Sequence, residues 1–359
     1  MNIESLDVTV CRLPTENGPE SDGTAVWDTT TMVIVEVRCD GATGLGYTYE
    51  TDAAAAIVRD VLAPSVIGAD PDAIPATRAR MLRAIRNFGR AGVVACAISA
   101  VDVALWDLRS RLVGRPLATV LGVARERVPV YASGGFTSTQ LDALAREVEE
   151  YVAQGHTRVK IKVGREPARD PDRVRVLAEA AGHALELMVD ANGAYSPKQA
   201  LEMAERFAAR GVRYFEEPVS SDDLDGMRFV RERAPMPIAA GEYGYDAAYF
   251  RHMLDAGAVD LLQADATRCL GITGFLDADT LCDVWGVPLS AHCAPAIHVH
   301  AGAAARRLVH IEYFRDHARM ERLLFEGLPS ISDGAIAYDS ARAGLGLELR
   351  HREAARLAA

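Results

Sequence analysis

Residues 158–193, RVKIKVGREPARDPDRVRVLAEAAGHALELMVDANG, read as a strand, an amphipathic helix and a second strand. RVKIKVG alternates with period two, DPDRVRVLAEAAG repeats its apolar positions at helical spacing, and LELMVDANG is a β-rich run closed by a turn. A strand–helix–strand unit of this length joins parallel strands, because a parallel partner is reached only by a crossover. The unit recurs along the chain. VPVYASGG precedes it, and RYFEEP, PIAAGE, DLLQAD, PLSAHC and HIEYF follow, separated by helical patterns such as SPKQALEMAERFAARG. Eight such runs predict an α/β fold, a (β/α)8 barrel over residues 126–325. A doubly wound sheet is the alternative, but no GxGxxG follows the first strand.

Outside that segment the pattern differs. In residues 1–125, VTVCRLP and TTTMVIVEVRCDGATGLGYTYE predict strands, the second a hairpin turning at Asp40-Gly41. AISAVDVALWDLRSRLVG predicts a helix stopped by Gly114 and Pro116. This is an α+β domain. The strand count is complete at HIEYF, so residues 326–359, including GAIAYDSARAGLGLELR, are expected to leave the barrel and pack back on the N-terminal domain.

The 359 residues are 49% hydrophobic and 25% charged, an ordinary globular balance. A net charge of -11 argues against nucleic acid or an acidic membrane as partner, since phosphate needs clustered Lys and Arg, and points to a small molecule. Six cysteines show no CxxC spacing, the start MNIESLDVTV lacks a basic segment before an apolar core, and no apolar run nears the roughly 20 residues of a membrane helix. A cytoplasmic protein with reduced thiols is expected.

The runs end in polar residues: Lys162, Asp190, Glu216, Glu242, Asp265, His292 and Glu312, spaced 20 to 28 residues apart. One strand–helix unit is about that long, so in a barrel these side chains ring the C-terminal mouth, where active sites of this fold lie. Singly, Asp190 reads as a turn residue, Glu216-Glu217 as a solvated loop and Glu242 as a helix cap. Together they change meaning. Three acids around one mouth repel one another, at about 4 kcal/mol per pair at 4 Å and an effective dielectric of 20, unless a cation sits between them. Oxygen-only ligation suits magnesium rather than zinc.

Period two sends Lys160 and Lys162 inward and leaves Val159, Ile161 and Val163 to the surrounding helices. Two adjacent cations near a metal are expected to depress one lysine's pKa and make it a candidate base. Asp265 and His292, on strands six and seven, suit a carboxylate-held general acid or base. His298 and His300 could suggest zinc, but their HVH lies past the strand end without the context of a zinc spacing.

KIK, VDANG, FEEP and GE, preceded by AISAVDVALWDLRSRLVGRPLATVLG, resemble in content and order the enolase superfamily, and within it the mandelate racemase branch. The resemblance spans nearly the whole chain. It implies that residues 1–125 cap the barrel, that Asp190, Glu216 and Glu242 bind one Mg2+ per subunit, and that Lys162 is a base with Lys160 beside it. It further implies an Asp265–His292 dyad, Glu312 as donor to a substrate carboxylate, and a homo-oligomer. Muconate-type relatives carry a second lysine on strand six, where this chain has Gln263-Ala264-Asp265, which favours the racemase branch. A paired glycine usual after strand six is replaced by Leu270-Gly271, which leaves the shape of that loop open.

The implied chemistry removes a proton α to a carboxylate and stabilises the resulting enediolate. Loss of a β-hydroxyl then gives dehydration of a sugar acid, the expected reaction; reprotonation gives a racemase, epimerase or cycloisomerase. A barrel metallohydrolase is expected to place histidines near its first strand, and VPVYASGGF has none. A non-catalytic scaffold is expected to have lost some of these groups.

Overall fold

The structure is a computed structural model that describes residues 1–16 and 18–358. The loop sequence ENGPESDGTAVWD includes Asn17, which lies outside the described residues.

Three antiparallel strands, Ser5–Pro14, Thr29–Cys39 and Ala42–Tyr49, form the N-terminal sheet, with Val8 opposite Val35 and Val35 opposite Gly46. The hairpin turns where the sequence placed it. Asp40 and Gly41 both take positive φ, 50° and 76°, which matches the right-handed twist of the flanking strands. A 20-residue helix, Val93–Leu112, lies across this sheet. It packs so close that a Cβ on Gly46 would sit 2.1 Å from the carbonyl oxygen of Ala100, so only glycine serves there.

The buried polar side chains of that helix fasten distant segments. Asp107 accepts from the backbone N–H groups of Leu45 at 2.7 Å and Leu345 at 2.6 Å, and from Arg111 Nε at 2.8 Å. Ser99 Oγ accepts from Leu270 N and Gly271 N at 2.9 and 3.1 Å, and Asp102 accepts from Thr273 N and Oγ1 at 3.0 and 2.7 Å. The loop that lacks its paired glycine is thereby resolved. Leu270 adopts the left-handed conformation, φ 71°, held by cap hydrogen bonds and by burial of its own side chain.

The barrel strands are Val128–Gly134, Arg158–Lys162, Glu186–Asp190, Val212–Glu216, Ile238–Ala240, Leu261–Ala264, Leu289–Ala291 and Leu308–Phe314, the first to the eighth in order. Each pairs in parallel with its neighbours, and the eighth closes on the first with Ile311 opposite Val130. Val159, Ile161, Val189 and Phe215 enter the large core shared with the outer helices, and Tyr131, Met188, Tyr214, Ala239 and Leu261 form a separate inner cluster. Alternation along each strand produces both layers. Each fully buried Val, Leu or Phe contributes roughly 1.5–3 kcal/mol.

Past the eighth strand, Ala335–Ile336 pairs antiparallel with Val128 and Pro129 at the start of the first strand. Phe325–Glu326 pairs with Glu348–Leu349, the helix His351–Leu357 lies against the first cap strand, and Ala358 bridges to Cys11. Among the described residues no helix is long and apolar enough to cross a membrane, and the six cysteines are buried and free.

Candidate active site

In-register pairing of the second, third and fourth strands sets Lys162 opposite Asp190 and Asp190 opposite Glu216 at the C-terminal rim. Glu242 follows the fifth strand by two residues. One ligand oxygen from each of Asp190, Glu216 and Glu242 lies within 4.8 Å of the others, and all three side chains are buried. Two inward lysines meet them. Lys160 Nζ stands 2.6 Å from Glu216 Oε1, 2.8 Å from Glu312 Oε1 and 3.6 Å from Asp190 Oδ2, while Lys162 Nζ is 2.5 Å from Asp190 Oδ2.

Without a bound cation, these contacts favour the charged form of both lysines. Burial pushes Lys162 down most strongly, but the carboxylates of Asp190, Glu312 and Glu242 together outweigh it and hold the ammonium above its ordinary value; Lys160 is raised in the same way by Glu216 and Glu312. The neighbouring lysine opposes the rise of Lys162 but is the weaker effect. Glu216 is pushed up to about 8 by burial and by Asp190, Glu312 and Glu242, against the pull of Lys160.

Asp265 follows the sixth strand and His292 the seventh. His292 Nδ1 is 2.8 Å from Asp265 Oδ2, and Thr267 N and Oγ1 both donate to Asp265 Oδ1 at 2.7 Å. Burial would raise Asp265, but the His292 hydrogen bond leads a set of effects that holds it well below its usual range. His292 is raised: burial opposes its charge, but Glu242 and Glu312 favour it. Its Nε2 faces Glu242 at 3.5 Å and Glu312 at 3.6 Å. Glu312 is also buried, yet Lys160 and His292 hold it well below the carboxylate range, so the structure favours its ionised form over a protonated donor.

Beneath the acids lies a polar layer that the sequence reading passed over as strand body. Tyr214 Oη and Gln263 Nε2 donate to Glu216 Oε2 at 2.9 and 3.1 Å, Gln263 also reaches Tyr131 Oη at 3.2 Å, and Lys160 sits 5.1 Å above the Tyr131 ring. Period-two alternation was the available signal, since each shares the inward face of its strand. Glu217, the second acid of FEEP, is buried at φ 38° with Oε1 unpartnered among the described residues, and burial followed by Glu242 pushes it well up. Arg268 joins Glu242 Oε1 at 3.3 Å, and Cys293 Sγ lies 3.3 Å from His292 Nε2; neither residue type carried a motif.

The acids fit a hard cation. Glu242 Oε2 is buried without a hydrogen-bond donor among the described residues, and the donor set is all carboxylate oxygen. The HVH histidines are structural: His298 accepts from Ala266 N at 2.9 Å and bonds Cys293 O at 2.7 Å, and His300 accepts from Ala118 N at 3.3 Å and bonds Leu345 O at 3.0 Å. A cavity of about 210 Å³ opens between barrel and cap, lined by Lys162, Glu242, His292 and Glu312 on one side and by Asp22, Trp27 and Thr30 on the other.

Comparison with known proteins agrees with this architecture. Residues 6–122 match the mandelate racemase / muconate lactonizing enzyme N-terminal domain, and residues 143–354 match the enolase C-terminal domain-like family. The chain belongs to this family, the mandelate racemase branch of the enolase superfamily, and is an enzyme. It is similar to a mandelate racemase/muconate lactonizing enzyme-like protein from Rubrobacter xylanophilus, 51% identical with TM-score 0.97 over 100% of both chains. It is also similar to a racemase from Streptomyces coelicolor A3(2) crystallised with bound magnesium, 30% identical with TM-score 0.94 over 99% of this chain and 100% of that one. Among curated proteins, L-talarate/galactarate dehydratase of Salmonella typhimurium is 32% identical over 89% of this chain and 80% of its own length.

Proposed function

We propose that the enzyme is a Mg2+-dependent hydro-lyase that dehydrates a sugar acid, serving carbohydrate acid catabolism in the cytoplasm as a homo-oligomer. Asp190, Glu216 and Glu242 hold one magnesium per subunit, which supplies Lewis-acid stabilisation of charge on the substrate carboxylate when bound. Residues 1–125 cap the substrate, 126–325 carry the chemistry, and 326–359 complete the cap.

Lys162 takes the proton from the α-carbon. It can do so once Asp190 is engaged as a ligand rather than as the lysine's ion-pair partner. Lys160 draws the substrate carboxylate by charge, and Glu312, ionised, fixes Lys160 and favours the charged form of His292. His292, oriented by Asp265, delivers its proton to the departing β-hydroxyl, which leaves as water; the enol product then gains a proton to become a 2-keto-3-deoxy acid. The observation that carries this reading is that Lys162 and a His292 raised above its ordinary value line one cavity beside the acid triad. Racemisation is the second reading. It is favoured by the same pair, one group for each face of the α-carbon, and by the similarity to a protein titled a racemase.

Screening the magnesium-loaded protein against sugar acids, mandelate-like hydroxy acids and amino-acid derivatives tests both. Keto acid formation from a sugar acid supports dehydration, and stereochemical inversion without water loss supports the alternative. Inactivity on all three classes removes both.

A further inference from the structure

The cavity has two chemically different ends. Around the acid triad, Lys162 serves as the base, and the permanent cation Arg268 is already engaged by Glu242 at 3.3 Å and Asp265 at 3.7 Å. The end toward the cap is lined by Asp22, Trp27 and Thr30, with Asp316, to which Thr30 bonds, and His317 from just beyond the eighth strand. Among the described residues lining the cavity, none at this end is a lysine or arginine. The cap loop that supplies it, residues 16–28, carries Glu16, Glu20, Asp22 and Asp28 and no basic residue. Arg165 bonds the carbonyl of Ala25 at 3.4 Å but lines a separate cleft outside the loop. His317 adds no charge, because burial holds it well below its ordinary value.

What this end offers is acceptors and apolar faces. Asp316 Oδ2 faces Thr30 Oγ1 at 3.3 Å, and its other oxygen is taken by Arg319 at 2.8 Å. Asn192 also lines the cavity, and its buried Oδ1 has no hydrogen-bond partner among the described residues. Trp27 presents a ring here, and Phe314, whose ring centroid is 5.9 Å from Lys162 Nζ, continues the apolar wall toward the base. Hydroxyl groups satisfy such acceptors and C–H faces stack on such rings. A carboxylate placed there would be stripped of water beside two acids, with no free cation to receive it.

Resting on the proposed sugar-acid reading, we infer that the distal end of the substrate is an uncharged polyhydroxyl chain, so that the enzyme takes monocarboxylic rather than dicarboxylic sugar acids. Asp316 and Asp22 are then specificity determinants. This separates the chain from the dehydratase of Salmonella typhimurium, whose name gives a dicarboxylic substrate, galactarate.

The test uses matched acids that differ only at the distal carbon: gluconate with glucarate, galactonate with galactarate, mannonate with mannarate. For each pair, kcat/KM for keto acid formation, α-hydrogen exchange in deuterated water and the shift in melting temperature are measured with magnesium present. The monoacid of the best pair is expected to exceed its diacid by about a hundredfold in kcat/KM. It is also expected to give the larger thermal shift. Asp316→Asn, which removes the charge of one of the two acids at this end, is expected to narrow that ratio at least tenfold, with thermal melting confirming that the variant folds. A diacid used as well as or better than its monoacid overturns the inference while leaving the dehydration reading intact. Turnover confined to acids that are not sugar acids overturns both.

Discussion

Lys162 and Asp190 face each other across the second and third barrel strands, in register, with Nζ 2.5 Å from Oδ2. The base and the first metal ligand of the proposed site are therefore each other's counter-ion when no cation is bound. Magnesium and the proton on Lys162 compete for one carboxylate. Magnesium affinity is expected to rise about tenfold in Lys162→Ala, measured by titration calorimetry, even though that variant is inactive. Unchanged or weaker affinity would show that the ion pair does not compete with the metal.

Chelation is expected to abolish activity and magnesium to restore it. Glu242→Gln leaves the buried cluster with two acids; it is expected to lower activity at least a hundredfold at saturating substrate and to weaken magnesium-induced thermal stabilisation. Full activity in protein freed of metal would falsify the assignment of the triad.

His292→Asn is expected to lose turnover by roughly 10²–10⁴-fold while still exchanging the α-hydrogen with deuterated water, because Lys162 remains. Lys162→Ala is expected to lose both. The opposite pattern would exchange the roles of acid and base, and wild-type turnover in both variants would remove the two-base site altogether.

Tyr214 and Gln263 fix one oxygen of Glu216 and leave the other toward Lys160. Tyr214→Phe is expected to weaken magnesium binding by about tenfold with little change in fold, as loss of a ligand's own hydrogen-bond partner does elsewhere. The readout is metal affinity alongside the melting temperature; an unchanged affinity would reduce Tyr214 to packing.

His300 titrates at about 4 in the folded chain, because burial disfavours its charged form, and near 6.5 when unfolded. Between those values the unfolded chain holds the extra proton, so the contribution is fully present above about pH 6.5 and is lost as pH falls toward 4. At pH 5 the loss is about 2 kcal/mol. His300→Gln is expected to flatten the difference between urea midpoints at pH 7.5 and pH 5 by that amount, and an identical difference in both proteins would contradict it.

The alternation of short β-rich runs with helical ones made the barrel readable, because each of the eight runs coincides with an observed strand. The acids and bases at the rim were readable because a strand end is also a sequence landmark. Other features depend on distances and dihedrals that no local pattern encodes. Glu217, Leu270, Cys293 and Ala294 all adopt positive φ without being glycine. The protonation tendency of Lys162 without a bound cation turns on how near Asp190 comes, a distance that no local pattern encodes. Arg268 and Asp316 carry no spacing signal: Arg268 lies in the turn beyond its strand, and Asp316 in the first turn of the helix that follows the eighth.

Asp107 is fully buried and ties the third cap strand to Leu345, 238 residues further along. During synthesis the sheet and its long helix leave the ribosome well before Leu345, whose N–H completes the hydrogen bonding of this carboxylate. Until then a desolvated charge lacks part of its hydrogen bonding, which costs on the order of 1–3 kcal/mol per missing bond. The helix and sheet that roof the active-site cavity thus gain their full hydrogen bonding only after Leu345 has been made.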